Sequence, residues 1–101
     1  MSNETPKPSG EIAVPWFSAE TWPELLAVAA DRATLPDTFA EFEAIAGSKF
    51  DRLCAQGAPL QRVLISVTEL AEWCHAQHQP VDGMARAAFA AFVLMRRGRA
   101  N

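Results

Sequence analysis

Ala58-Pro59-Leu60-Gln61-Arg62-Val63-Leu64-Ile65-Ser66-Val67-Thr68-Glu69-Leu70 is the stretch on which the fold turns. It admits two readings. Pro59 suits a first helical turn, and Leu60, Val63, Leu64 and Val67 would then line one face of a helix running on past residue 70. However, Val63 to Thr68 is dense in β-branched residues, and Ser66-Val67-Thr68-Glu69 is a capping box, a motif that opens helices and has no role inside them. The preferred reading is a short strand at 62–65 followed by a helix that begins at Val67. A lone strand must pair its N–H and C=O groups. Ile12-Ala13-Val14 is the one other extended-looking piece in the chain, and the same strand of a second subunit is the alternative partner.

Downstream, a helix over 67–78 is expected to bury Val67, Leu70, Ala71, Trp73 and Cys74. A loop follows, with Asp82 placed to cap the next helix. That helix, 83–97, is apolar nearly all round (Met84, Ala85, Ala87, Ala88, Phe89, Ala91, Phe92, Val93, Leu94, Met95), and such a helix is normally wrapped by others. Upstream, Thr38 and Glu41 form a second capping box at the head of a helix over 39–56. Its stripe is Phe39, Phe42, Ile45, Ala46, Phe50, Leu53 and Cys54, and Gly57 stands where a left-handed residue ends a helix. Gly47 within it marks a bend or a close contact. A third box, Thr21 with Glu24, has Pro23 in the first turn and opens a helix over 22–33. Its buried face is Trp22, Leu25, Leu26, Ala29 and Ala33, and Leu35-Pro36 stops it. The prediction is a mainly α, compact four-helix domain over 12–101, with one strand pairing of 62–65 to 12–14 or across a dimer. Residues 1–11, with Pro6, Pro8, Ser9 and Gly10, read as a flexible tail.

Composition sets the class. The chain has 101 residues, half of them apolar and 21% charged, with a net charge of −3; this is one globular domain, not a disordered chain. Nineteen alanines, and seven arginines against two lysines, suggest a GC-rich bacterial genome. The chain opens without a secretory signal, and the apolar run from Ala87 to Met95 is far shorter than the ~20 residues of a membrane span. The expected setting is the cytoplasm, where Cys54 and Cys74 stay reduced and behave as small core side chains.

The sequence offers little chemistry. Cys74 and His78 share a helix face at a spacing that suits zinc, and Cys54 would be a third ligand. A structural zinc site wants four, so no metal or other cofactor is expected. Cys74 and His75 point about 100° apart on a helix, which is no nucleophile–base pair. No G-x-S-x-G, phosphate loop or H-E-x-x-H is present, and Glu41 and Glu43 lie on a solvated helix face. An enzyme is therefore disfavoured. The helix–loop–helix at 67–97 invites comparison with a DNA-binding motif, whose contacts would be Arg86, Arg96, Arg97 and Arg99. An acidic chain is handicapped at phosphate, and arginine near a helix C-terminus is adequately explained by the helix dipole. A nucleic-acid-binding regulator using these arginines and a metal-binding protein using Cys54, Cys74 and His78 stay as alternatives, and the preferred reading starts from apolar surface. Trp16, Phe17, Phe89, Phe92 and Met95 are the candidate contacts of a non-catalytic interaction or regulatory domain that binds a protein partner or itself as a homo-oligomer, with no membrane role.

Overall fold

The computed structural model describes residues 11–99, Gly98 and Arg99 by backbone alone; the stretch expected to be a tail lies outside these residues except for Glu11. The elements in chain order are β1 (Ile12–Trp16), α1 (Trp22–Val28), a 3-10 turn (Arg32–Thr34), α2 (Phe39–Ala55), β2 (Leu60–Leu64), α3 (Val67–Ala76) and α4 (Gly83–Arg99). Among the described residues this is a compact, mainly helical domain of four α-helices and a two-stranded parallel sheet.

β2 finds its partner within the chain. It pairs with β1 in a register running from Ile12 opposite Leu60 to Trp16 opposite Leu64. Parallel strands need a long crossover, here supplied by α1, the 3-10 turn and α2. The Ile12 N–H donates to the Pro59 carbonyl at 2.8 Å and the Ile65 N–H to the Trp16 carbonyl at 3.0 Å. Residues alternate along such a ladder, so Ile12, Val14 and Trp16 turn their backbone groups toward β2. Ala13 and Pro15 form the outer edge of β1, and Arg62 and Leu64 that of β2.

The two faces of the sheet are covered differently. Phe17, Val63 and Ile65 enter a core with Trp22 and Leu25 of α1, Val67, Leu70 and Cys74 of α3, and Ala85, Phe89 and Ala90 of α4. On the opposite face Trp16 packs against Phe42 and Phe50 of α2, with ring centroids 5.1 and 6.0 Å away. The Arg62 guanidinium lies 4.1 Å from the Trp16 ring and 4.6 Å from that of Phe50. Gly47 faces this group: a Cβ there would stand 3.9 Å from the Arg62 guanidinium, an ordinary contact.

Two expectations about α2 need correction. Ile45 and Cys54, placed on its buried stripe, are exposed. Phe39, Phe42, Ala46, Phe50 and Leu53 are half-buried, and no residue of α2 is fully buried. A sheet of two strands is too narrow to cover a wider arc of the helix. Another correction concerns α1, expected to reach residue 33. It ends at Val28, where Ala29 turns extended (ψ 128°) and Ala30 donates its N–H to the Val81 carbonyl at 2.8 Å. That long-range bond takes the backbone out of the helix, and Ala33 falls in the 3-10 turn, exposed.

Helix starts follow the sequence closely, with one exception. Thr38 Oγ1 accepts from the Glu41 N–H at 3.1 Å, Ser66 Oγ from the Glu69 N–H at 3.2 Å, and Asp82 Oδ1 from the Ala85 N–H at 2.9 Å. Thr21 makes no such bond to Glu24. Its side chain is engaged by Ser18: the Ser18 N–H donates to Thr21 Oγ1 at 3.0 Å and the Thr21 N–H to Ser18 Oγ at 3.2 Å, a reciprocal pair one turn earlier. At the other ends, α2 and α3 close with the same 6→1 and 5→2 backbone pattern. Ala58 and Gly57 donate to Leu53 and Cys54, and Gln79 and His78 to Cys74 and His75. Gly57 takes the left-handed position after α2 (φ 96°), as its place in the sequence implies; after α3 the position is filled by His78 (φ 57°).

Candidate functional site

α4 is anchored along one side only. Ala85, Phe89 and Ala90 are buried, and Val93 and Leu94 pack partly against the same core. At 3.6 residues per turn these positions share one half of the helix. The other half carries Met84, Ala87, Ala88, Ala91, Phe92 and Met95, all of them exposed. Met84 is 84% exposed, Met95 56% and Phe92 37%. The helix expected to be wrapped on all sides is thus left open on one, because three other helices and two strands supply too few neighbours. Side-chain size gives no signal for this, since the core side carries Ala85 and Ala90 beside Phe89, Val93 and Leu94, and the open side Met84, Phe92 and Met95 beside three alanines.

An aromatic cluster borders the open face. Trp73 of α3 is half-buried and stands 5.4 Å from Phe89 and 6.1 Å from Phe92, centroid to centroid, while Phe89 and Phe92 are themselves 6.1 Å apart. Arg96 lies over the Phe92 ring at 5.4 Å. The rim of the patch is therefore a stacked, positioned ring with a cation on it.

The residues singled out as contacts separate into two groups. Phe92 and Met95 lie on the open face. Trp16, Phe17 and Phe89, at 7%, 3% and 2% exposure, are packed inside the chain and present no surface to a partner in this conformation. Periodicity places an aromatic residue on an apolar face but does not distinguish that face from its opposite. Met84, the most exposed of the large apolar residues, belongs to the same face although the expected contacts did not include it.

Among the described residues the arginine set does not form a face. Arg86 is buried, its two terminal nitrogens donating to the two carboxylate oxygens of Asp31 at 2.9 and 2.8 Å. This two-pronged pair joins the turn after α1 to the first turn of α4. The Arg86 hydrogen bonds hold the Asp31 carboxyl below its ordinary range, against a smaller opposing effect of burial. Arg96 leans on Phe92, Arg97 is exposed, and the side chain of Arg99 lies outside the described residues.

The zinc alternative is corrected. Among the described residues no group of three His, Cys, Asp or Glu side chains is gathered to hold a metal ion. Cys54 ends α2 at the surface, Cys74 is buried in α3 with its thiol pKa raised by burial and then by the Asp82 charge, and His78 serves the helix end. A shallow groove of about 470 Å³ lies between the 3-10 turn and α2, lined by Leu35, Pro36, Ala44 and Ile45, with Glu41 its one charged side chain. No described helix is long and apolar enough to cross a membrane. No protein-family model matches the chain, and neither a curated protein nor a solved structure matches it.

Proposed function

We propose that the protein is a small non-catalytic interaction domain whose contact surface is the outer half of α4. One observation carries the reading: Met84, Ala87, Ala88, Ala91, Phe92 and Met95 form an uninterrupted exposed apolar strip along a helix whose other side is core. An exposed apolar strip along the length of one helix is the mark of a binding surface, whereas the other large exposed apolar residues, Ile12, Val28, Ile45 and Leu64, fall singly on four other elements. Methionine at both ends suits the role, since its unbranched thioether adapts to the shape it meets. The ionisable groups most shifted from their ordinary range support a non-catalytic reading, because Asp31 is used in an internal ion pair and Cys74 in the core.

Methionine oxidation footprinting tests this. Dilute peroxide converts exposed methionine to its sulfoxide. Met84 and Met95 should oxidise several-fold more slowly in cells, at the natural protein concentration, than in dilute purified protein. Equal rates in the two settings overturn the proposal.

A further inference from the structure

Resting on that surface, we infer that the open face of α4 is a methionine redox switch. Oxidation of Met84 and Met95 to the sulfoxide by a hydroperoxide turns the strip polar and releases its partner, with the fold left intact. The chain has three methionines and, apart from Met1, which is outside the described residues, they stand on this strip. Methionine is ordinarily among the most buried residue types. Here Met84 is 84% and Met95 56% exposed, and neither belongs to the core. They are eleven positions apart, which is about three turns along and about 20° around the helix, so they mark the two ends of one line. Between them the strip holds one other large side chain, Phe92, and three alanines. Most of the apolar contact the strip offers is therefore thioether.

The step is a two-electron oxidation. The thioether sulfur attacks one oxygen of hydrogen peroxide, the O–O bond breaks, and the other oxygen takes the proton from the first and leaves as water. The product carries a polar S–O group, which is costly to press against an apolar partner that has no donor for it. Reversal uses a dithiol: a sulfoxide reductase returns the sulfur to thioether, the oxygen leaves as water and the dithiol becomes a disulfide. Placement makes this a switch. Oxidising a core methionine disrupts packing, whereas Met84 and Met95 lie outside the core and are open to a reductase on the folded chain. The thiols are set apart from the strip, Cys54 on α2 and Cys74 buried in α3. A seated partner shields both methionine sulfurs, so oxidation acts on the free domain and keeps it free.

The probe is a phenyl matrix. The full chain, in a Cys54→Ser background so that no exposed thiol competes, is passed over it before and after dilute hydrogen peroxide. The untreated chain should be retained and the treated chain should lose its retention, while circular dichroism and thermal midpoint stay near those of the untreated protein. Met84→Leu/Met95→Leu keeps the apolar area without the sulfurs and should be retained both before and after treatment, which sets aside any effect of Met1. Met84→Gln/Met95→Gln should lose retention with no oxidant at all. The two sulfoxide reductases, one for each epimer, should restore retention without denaturant. In cells given a brief sublethal peroxide pulse, sulfoxide at both positions should rise and then fall back. Equal retention of treated and untreated chains overturns the switch and leaves the contact surface; weak retention of both removes the surface as well. Unfolding on oxidation, repair that needs denaturant, or sulfoxide that never forms or never falls in cells also overturns the switch.

Discussion

Asp31 shows what a single side chain contributes here. It turns two ends of the chain toward each other by holding Arg86 in a two-pronged pair, and Arg86 is only 8% exposed. Removing one partner of a buried pair leaves the other without compensation, at a cost of several kcal/mol. Asp31→Asn should therefore destabilise the fold by about 2 kcal/mol at neutral pH, by denaturant titration, short of the cost for a fully buried pair because the Asp31 side chain is 26% exposed. The sign of the pH dependence follows from the shift. The folded carboxyl titrates below its unfolded value of 3.8, so the stabilisation is complete above that value and is lost as pH falls through the folded pKa. The gap between wild type and Asp31→Asn should narrow in that acid range; a gap constant with pH would deny the pair its role. His78 is a second case. It occupies the left-handed position after α3 at φ 57°, where a side chain costs roughly 1 kcal/mol. His78→Gly should raise the unfolding free energy by up to about 1 kcal/mol, and Gly57→Ala, at φ 96°, should lower it by a similar amount. A loss of stability in His78→Gly would mean that the imidazole makes a stabilising contact.

The elements differ in how much of their environment could be read from local pattern. Capping boxes at Thr38 and Ser66 and the Asp82 cap fix helix starts because they act within one turn. The end of α1 was not legible, since the bond that breaks the helix comes from Val81, far along the chain. Thr21 departs from the capping box for a more local reason: the Ser18 N–H takes the same hydroxyl. In the sheet, the outer edge of β1 carries Pro15, which has no N–H to offer, and that of β2 carries Arg62 spread over Trp16 and Phe50. Proline and charge are standard protections for strand edges. Arg62→Val removes the charge and leaves the edge of β2 apolar beside Leu64, 60% exposed. The variant should aggregate faster on mild heating, measured by light scattering; unchanged kinetics would show that the edge is protected by something else.

At the scale of the whole molecule, two thiols report on where the core ends. Cys54 is exposed and Cys74 lies at 1% exposure among the helices, its ionisation opposed by burial. A disulfide-exchange reagent should titrate one thiol promptly in the native protein and two in denaturant. The slow reaction of Cys74 then measures opening of the core. Prompt reaction of both would mean that the packing of α3 against α4 is loose. The domain has a core side, built from the sheet, α1, α3 and half of α4, and an open side along the rest of α4.

What the sequence alone determined is whatever acts over a few residues: four helices, the strand within the 58–70 stretch, three helix starts, and the left-handed glycine after α2. Pairing of that strand with Ile12 to Val14 was one of two open choices, and the parallel ladder decided it. Which face of each apolar helix is covered was decided by tertiary structure. Hydrophobic periodicity states only that a face is apolar; burial depends on how many neighbours reach it. The narrow sheet left Ile45 exposed, the small number of helices left Met84 and Met95 exposed, and Trp16, Phe17 and Phe89 were enclosed. An arginine that reads as a free cation in the sequence was likewise paired by the fold, because its carboxylate lies 55 residues away along the chain.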